Sequence, residues 1–365
     1  MTTIAEGPRP THLSTLEREL MRPWRHPGVP ASEVPATRAL LANLVVVCDD
    51  EQHAAVSRDV AEIVAKHPSR VIVLVVEPNR ETSDIPASVT THGRLATGSP
   101  QVCGDVVTLH VGPATVRQLP SLVWSLLLGE LPTALWWGTP QAASLACDAF
   151  DELAGSADQV ILDSAGAADP LSEMLITARW IVADKPDVVS DLAWRRPKLW
   201  RRIVAQALDP EVAPGALESI ENVQIAHGPS SLTGAWLLTG WLAFRLGWRP
   251  RGGRALAGGD VAWTFESPQG TPRVQIRRVP EPDEDIGQIR IATKVSGRPV
   301  TFNFARQRAG HVSVVADGLN DRVSSLSLPV ASRGELVARQ LPDLSRDGLF
   351  ESSIILARSM AEAVV

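Results

Sequence analysis

The sequence predicts an α/β protein in two parts. A mostly parallel sheet with helices on both faces comes first, followed by a helical segment and a C-terminal antiparallel sheet packed on helices (α+β). Three observations carry this. Between residues 41 and 162, short apolar runs alternate with segments of helical period, the pattern of strands buried on both faces and joined by crossovers. After residue 260, apolar and polar residues alternate with period two, as in a sheet with one wet face. The 365 residues, 44% of them apolar, suffice for about two domains at roughly 100–200 residues each.

Residues 1–36 read as an N-terminal arm. It holds one short helical candidate, Leu13 to Met21, and a Pro-rich stretch from Pro23 to Pro35 that contains Trp24. The α/β domain spans 37–167. Leu41 to Cys48 is its first buried strand, and Asp49 and Asp50 then supply helix-capping side chains. The helix that follows places Val56, Val60, Ile63 and Val64 on one face and stops at Pro68. Strands follow at Val71 to Val76, Val89 to Ala96 and Val106 to Val111. A helix from Thr115 to Leu128 leads to a strand at Thr133 to Trp137. A helix from Gln141 to Leu153 and a short strand at Val160 to Leu162 complete the alternation.

The C-terminal domain spans 168–365, with helices in 168–250, the antiparallel sheet in 258–330 and a terminal helix in 348–364. Pro170 to Val182 has helical spacing, and Pro197 sits in the first turn of a helix ending near Leu208. Glu221 to Ala226 reads as a strand. Leu232 to Leu246 is apolar on nearly every side, as a buried helix is. Gly252-Gly253 and Gly258-Gly259 read as loop or linker. Alternating strands follow at 261–266, 274–277, 289–295, 300–304, 312–316 and 323–328, with turns at Pro280 to Asp283, Ser296 to Pro299 and Asp317-Gly318. The terminal helix is expected to cover the sheet with Leu349, Leu356 and Met360.

Composition excludes several functions. The net charge is -6, and no basic run offers the clustered charge that phosphate backbones require. From Leu119 to Phe150 the chain is nearly uncharged, but Pro120, Gly129-Glu130 and Pro132 divide it below the roughly 20 residues of a membrane span. The N-terminus lacks the apolar centre of a signal peptide. Cys48, Cys103 and Cys147 form no CxxC, consistent with a reduced, cytoplasmic protein.

No catalytic constellation emerges. The first strand is followed by Asp49, Asp50 and Glu51 rather than GxGxxG, and three carboxylates at a helix N-terminus repel phosphate. There is no GxxxxGK[ST], no HExxH and no GxSxG. Metal ligands and cofactor sites are therefore not expected. Two clusters remain. His67, Ser69 and Arg70 could face an anion, or simply stop a helix and start a strand. Trp194, Arg195, Arg196, Trp200, Arg201 and Arg202 interleave two Trp with four Arg. They fit a protein–protein hot spot or core anchors among solvated charges. Trp136 and Trp137 are a further aromatic pair, more easily read as core than as contact.

An ordered series of segments resembles one known family. It comprises Asn43 to Val47, His67 to Ile72, Leu119 to Val123, Leu131 to Trp137 and Asp158 to Ser164. It continues with Asp191 to Arg195, Trp200-Arg201, Gly240 to Leu242 and Leu246 to Trp248. Together they resemble the glucose-6-phosphate dehydrogenase assembly protein family, OpcA, from about residue 40 to 250. The sheet beyond 260 is similar in kind only. The resemblance implies a non-catalytic assembly factor and allosteric activator that binds glucose-6-phosphate dehydrogenase. Such a factor supports the oxidative pentose phosphate pathway and NADPH production, without cofactor, membrane or nucleic acid. The residues alone leave a second reading, a stand-alone α/β protein that binds a small anionic metabolite such as a sugar phosphate.

Overall fold

The computed structural model describes residues 4–22, 37–96, 99–138, 148–165, 169–183, 187–280, 286–307, 310–319 and 323–364. The Pro-rich stretch with Trp24, the expected helix start at 141–147 with Cys147, and turn residues 281–283 lie outside them. Two compact units divide the chain. The first comprises Met1–Asp163, Ala183–Ser190 and Ser332–Arg346; the second comprises Ser164–Val182, Asp191–Ala331 and Asp347–Val365. The chain first leaves the first unit after Asp163 and then returns to it twice.

The first unit contains β1 (Ile4–Ala5), β2 (Arg9–Thr11), α1 (Leu16–Leu20), β3 (Thr37–Arg38), β4 (Ala42–Asp49), α2 (Asp50–Lys66) and β5 (Ser69–Val76). It continues with β6 (Ala87–Ala96), β7 (Ser99–Val111), α3 (Leu119–Leu126), β8 (Thr133–Trp137), α4 (Asp148–Gly155) and β9 (Gln159–Leu162). Its later pieces are β10 (Val188–Asp191), whose last residue falls in the second unit, and α9 (Arg333–Gln340), numbered in chain order. The sheet runs β1-β6-β7-β5-β4-β8-β9-β10, with β2 beside β6 and β3 beside β7. Strands β7, β5, β4, β8 and β9 are parallel, and β6 is antiparallel to β7. The first residues of the expected arm thus extend the sheet by pairing with β6.

Every residue of β5 is buried, as is all of β4 except Asp49. This is why both read as continuous apolar runs rather than alternating ones. The strand order reverses at β4, so right-handed crossovers place α2 on one face and α3 and α4 on the other. Consistent with this, α3 packs on α4, and α9 on α2. Val56, Val60, Ile63 and Val64 form the buried stripe of α2. Gly334 brings the α9 backbone against Asp59, and Arg333 reaches the Asp59 carboxylate at 2.6 Å and the Gly138 carbonyl at 2.9 Å.

The second unit contains α5 (Pro170–Ala183, whose last residue falls in the first unit), α6 (Leu192–Arg195), α7 (Lys198–Ala207), β11 (Asn222–His227) and α8 (Leu232–Arg245). Then follow β12 (Arg249–Ala255), β13 (Val261–Glu266), β14 (Arg273–Arg278), β15 (Ile286–Val295), β16 (Arg298–Gln307), β17 (His311–Asp317), β18 (Val323–Ser327) and α10 (Gly348–Glu362). The sheet order is β12-β13-β14-β11-β15-β16-β17-β18. The expected antiparallel sheet holds with one exception. Strand β11, from the helical segment, inserts between β14 and β15 and pairs in parallel with β14. Ser296 (φ 48°) and Gly297 (φ 78°) turn β15 into β16, the double positive φ of a tight two-residue hairpin.

Helix α8 packs on β11, β14 and α10, and α10 also on β12. The inner face holds Trp236 edge-on to Trp263 at 4.6 Å, and the Trp263 indole N–H donates to the Met360 carbonyl at 3.0 Å. The terminal helix buries Phe350, Ser353, Ile354, Ala357 and Met360. Leu349 and Leu356, expected on that stripe, are only half-buried, because the stripe is rotated by one residue. The Gly252-Gly253 segment, expected to be a loop, is part of edge strand β12. A side chain at Gly253 would collide with the Trp263 indole and Val364, so the strand could not lie there with any other residue.

Candidate functional site

The carboxyl ends of parallel strands are where doubly wound sheets place ligands, so the first site to build is there. Strand β4 ends in Asp49, which caps α2 by accepting the Gln52 N–H at 3.0 Å. Asp50 and Glu51 complete the first turn. The helix N-terminus therefore carries its own carboxylate at the position a phosphate would take. Beside it, Glu77 follows β5 and His110 closes β7. His110 Nδ1 donates to Glu77 Oε1 at 2.6 Å, and Arg80 donates to Glu77 Oε2 at 3.0 Å. The His53 ring stands edge-on to His110 at 5.7 Å.

Burial alone would raise the Glu77 carboxyl, but the hydrogen bonds and charges of His110 and Arg80 hold it below the ordinary value. Burial, helped by His110, lowers the His53 imidazole. Asp50, Glu77 and His110 each offer a ligand atom within 4.8 Å of the others. This mixed carboxylate and imidazole set could contact a divalent cation, with Arg80 competing for Glu77. No motif announces it, since the residues lie on three elements and meet only because three strands end side by side. Cys48, in the same strand as Asp49, is buried, and its thiol is pushed up to about 12, chiefly by that burial. It is therefore no nucleophile near neutral pH.

His67, Ser69 and Arg70 occupy the opposite, amino end of β5. Ser69 Oγ donates to the His67 carbonyl at 2.8 Å. Arg70 donates to Asp105 Oδ2 at 3.2 Å and to the Leu126 carbonyl at 3.3 Å, while Arg38 reaches the same Asp105 oxygen at 3.3 Å. Asp105 is wholly buried and Arg70 nearly so. Of the residues expected to face an anion, Arg70 thus already has its charge paired with Asp105 inside the fold.

The Trp/Arg segment folds inward as well. Asp191 caps α6 by accepting the Ala193 N–H at 2.8 Å, and it also accepts the Ser164 hydroxyl at 2.6 Å. The cap places Trp194 against Phe350, with its indole N–H on Asp347 Oδ2 at 2.9 Å. Arg201 lies over the Trp194 ring at 3.4 Å and donates to the Trp194 carbonyl at 2.8 Å. Burial pushes the Arg201 guanidinium down to about 9 despite the Asp347 charge, which leaves it protonated at neutral pH.

Trp200 is fully buried, as is Trp136 in β8, and Trp137 is 4% exposed. Arg333 sits over the Trp136 ring at 5.4 Å. Of the residues expected to meet a partner, Trp136, Trp137, Trp194, Trp200 and Arg201 are buried in this chain. Arg195 and Arg196 are half-buried, and only Lys198 and Arg202 of the segment stand exposed.

Among the described residues no helix is long and apolar enough to cross a membrane. The family models described as the glucose-6-phosphate dehydrogenase subunit N-terminal and C-terminal domains match residues 60–179 and 187–354. A Nostoc punctiforme protein provisionally named OxPP cycle protein OpcA is 28% identical over 80% of this chain and 65% of its own length. A Synechococcus elongatus protein of the same name is 26% identical over 80% of this chain and 67% of its own. The chain thus spans about two thirds of the curated relatives it matches. Among solved structures, a provisionally assigned oxidoreductase of Parabacteroides merdae aligns with a TM-score of 0.52 at 10% identity. It covers 88% of this chain and 96% of its own, a likeness of fold alone. With both domain models matched in order along the sequence, this chain belongs to the OpcA family of glucose-6-phosphate dehydrogenase assembly proteins.

Proposed function

We propose that this chain is a cytoplasmic, non-catalytic partner that binds glucose-6-phosphate dehydrogenase and promotes its assembly and activity, and with it the supply of NADPH. The observation that carries the non-catalytic reading is the β4–α2 turn. A dehydrogenase of doubly wound fold sets glycines and a free helix N-terminus there for pyrophosphate. This chain sets Asp49, Asp50 and Glu51 there, and Asp49 takes the exposed N–H group of Gln52. Membership of the family supports the choice of enzyme. An effector activates only by binding the active or assembled form more tightly. A preference of about 1.4 kcal/mol shifts that equilibrium tenfold.

The test is co-purification with the cognate dehydrogenase, followed by titration of enzyme activity with the full chain. Stable capture and a rise in activity that saturates are the expected results. Failure of both sinks the proposal. A thermal shift of the isolated chain with NADP or sugar phosphates would instead favour small-molecule binding.

A further inference from the structure

We infer that the open face of the eight-stranded sheet is the surface on which the enzyme docks, and that it takes a protein surface of net negative charge. This rests on the reading that glucose-6-phosphate dehydrogenase is the partner. Helices α8 and α10 pack on the inner side of this sheet, where Trp263, Phe265, Val274 and Ile276 are buried. The outward positions of the same strands stay half-buried or exposed.

Three features distinguish that outward face from an ordinary wet one. First, its middle rows are mainly small and uncharged polar side chains, with Arg290 standing between Gln224 and Asn303. The register aligns Ala262, Gln275 and Gln224 in one row across β13, β14 and β11, and Asn222, Ala292 and Thr301 in the next, across β11, β15 and β16. Arginine set among uncharged side chains is a composition that docking surfaces favour over lysine and carboxylates. Second, basic side chains outnumber acidic ones on and at the rim of this face: Arg254, Arg273, Arg277, Arg290 and Lys294 are joined by Arg249 and Arg251, against Glu221, Asp260, Glu266 and Asp317. The face is thus locally basic on a chain of net charge -6. Among the described residues, Arg254, Arg273 and Arg290 form no ion pair, whereas Arg251 pairs with Glu266, Arg277 with Asp260 and Lys294 with Glu221. Third, the face is not flat. A bay of about 650 Å³ opens at the β12–β13–β14 edge, floored by Gly252, Ala262 and Thr264 and flanked by Arg251, Arg254 and Arg273.

The size also fits. Eight strands about 4.8 Å apart and about six residues long at 3.3 Å each give a face of roughly 700 Å². A standard interface buries about 800 Å² on each partner. Carboxylates from the partner would enter the bay and meet Arg254 and Arg273, which carry no ion pair among the described residues, and such charge matching speeds encounter and fixes orientation.

The experiment uses the full chain and the cognate dehydrogenase, with affinity read by biolayer interferometry and oligomeric state by light scattering. R273E/R290E reverses two exposed charges on the face, and Ala292→Trp places bulk at its centre. Each should weaken binding at least tenfold with an unchanged melting profile. The charge-matched control R58E/R179E, on helices α2 and α5 rather than on this sheet, should bind as the wild type does. Wild-type affinity in both face variants overturns the inference while leaving the functional reading intact. Equal loss in the control overturns it as mere net-charge attraction. A wild-type homodimer split by the face variants, with enzyme binding unaffected, reassigns the face to self-association. No binding by the wild-type chain defeats the functional reading itself.

Discussion

The two sheets of this protein expose their chemistry in opposite ways. In the first unit, β4, β5 and β8 are buried on both faces, so functional side chains emerge only at strand ends. Asp50, Glu77 and His110 gather at the carboxyl ends, and the Arg70–Asp105 pair is sealed at the amino end. In the second unit one whole face stays wet, and chemistry spreads across it. A parallel interior gives a few convergent groups, while a half-covered sheet gives area. The first suits a small ion or molecule and the second a macromolecule.

Substitutions can test how far that contrast goes. Trp136→Ala in the first unit and Trp236→Ala in the second should each cost about 3–5 kcal/mol in chemical denaturation, because both indoles are fully enclosed. A loss under 1 kcal/mol at either would deny that its sheet is anchored by the ring. Asp105→Ala leaves Arg70 buried without its carboxylate and should cost about 3 kcal/mol. Asp49→Ala removes the α2 cap and should cost about 1 kcal/mol, which a thermal melt would show.

Acid should act on the first unit through His67 and His92, both lowered chiefly by burial, with Asp105 partly opposing the shift at His92. Because their folded pKa values lie below 6.5, the stability they contribute is full above that pH. It is lost as the pH falls through the folded values. Urea midpoints at pH 7 and pH 5 should differ less for His92→Gln than for the wild type. On the open sheet face, Gln224→Ala should change stability by no more than about 0.5 kcal/mol; a larger loss would mean the face is packed against something within the chain.

Much of the fold was legible because its signals are local. The Asp49–Gln52 cap, the continuous β5 and the alternating β13 each declare themselves within a few residues. What stayed hidden depends on distant partners. Strand β12 reads as a glycine-rich loop until the Trp263 ring is known to lie against Gly253. Helix α9, polar on average, is a helix with a place only because α2 receives it. The parallel entry of β11 beside β14 leaves no trace in either strand's own pattern.

The site was less legible than the fold. Trp and Arg in alternation look like a contact surface in one dimension, yet Asp191, Asp347 and Arg201 turn Trp194 inward. The Asp50–Glu77–His110 group is spread over too much sequence to form a motif. The Arg-flanked bay required the register of three strands to be seen.

The return of the chain to its first unit has a consequence for biosynthesis. Ser332 caps α9 and is followed by Arg333 on Asp59, and Gln159 donates to the Leu341 carbonyl at 2.8 Å. A ribosome has made the entire eight-stranded sheet of the second unit before it makes these residues. The first unit must therefore wait, with the α9-binding side of α2 uncovered, until nearly all of this sequence has been translated. A nascent chain halted before residue 332 should remain bound by chaperones that recognise exposed apolar surface, and release should follow once 332–346 clear the exit tunnel.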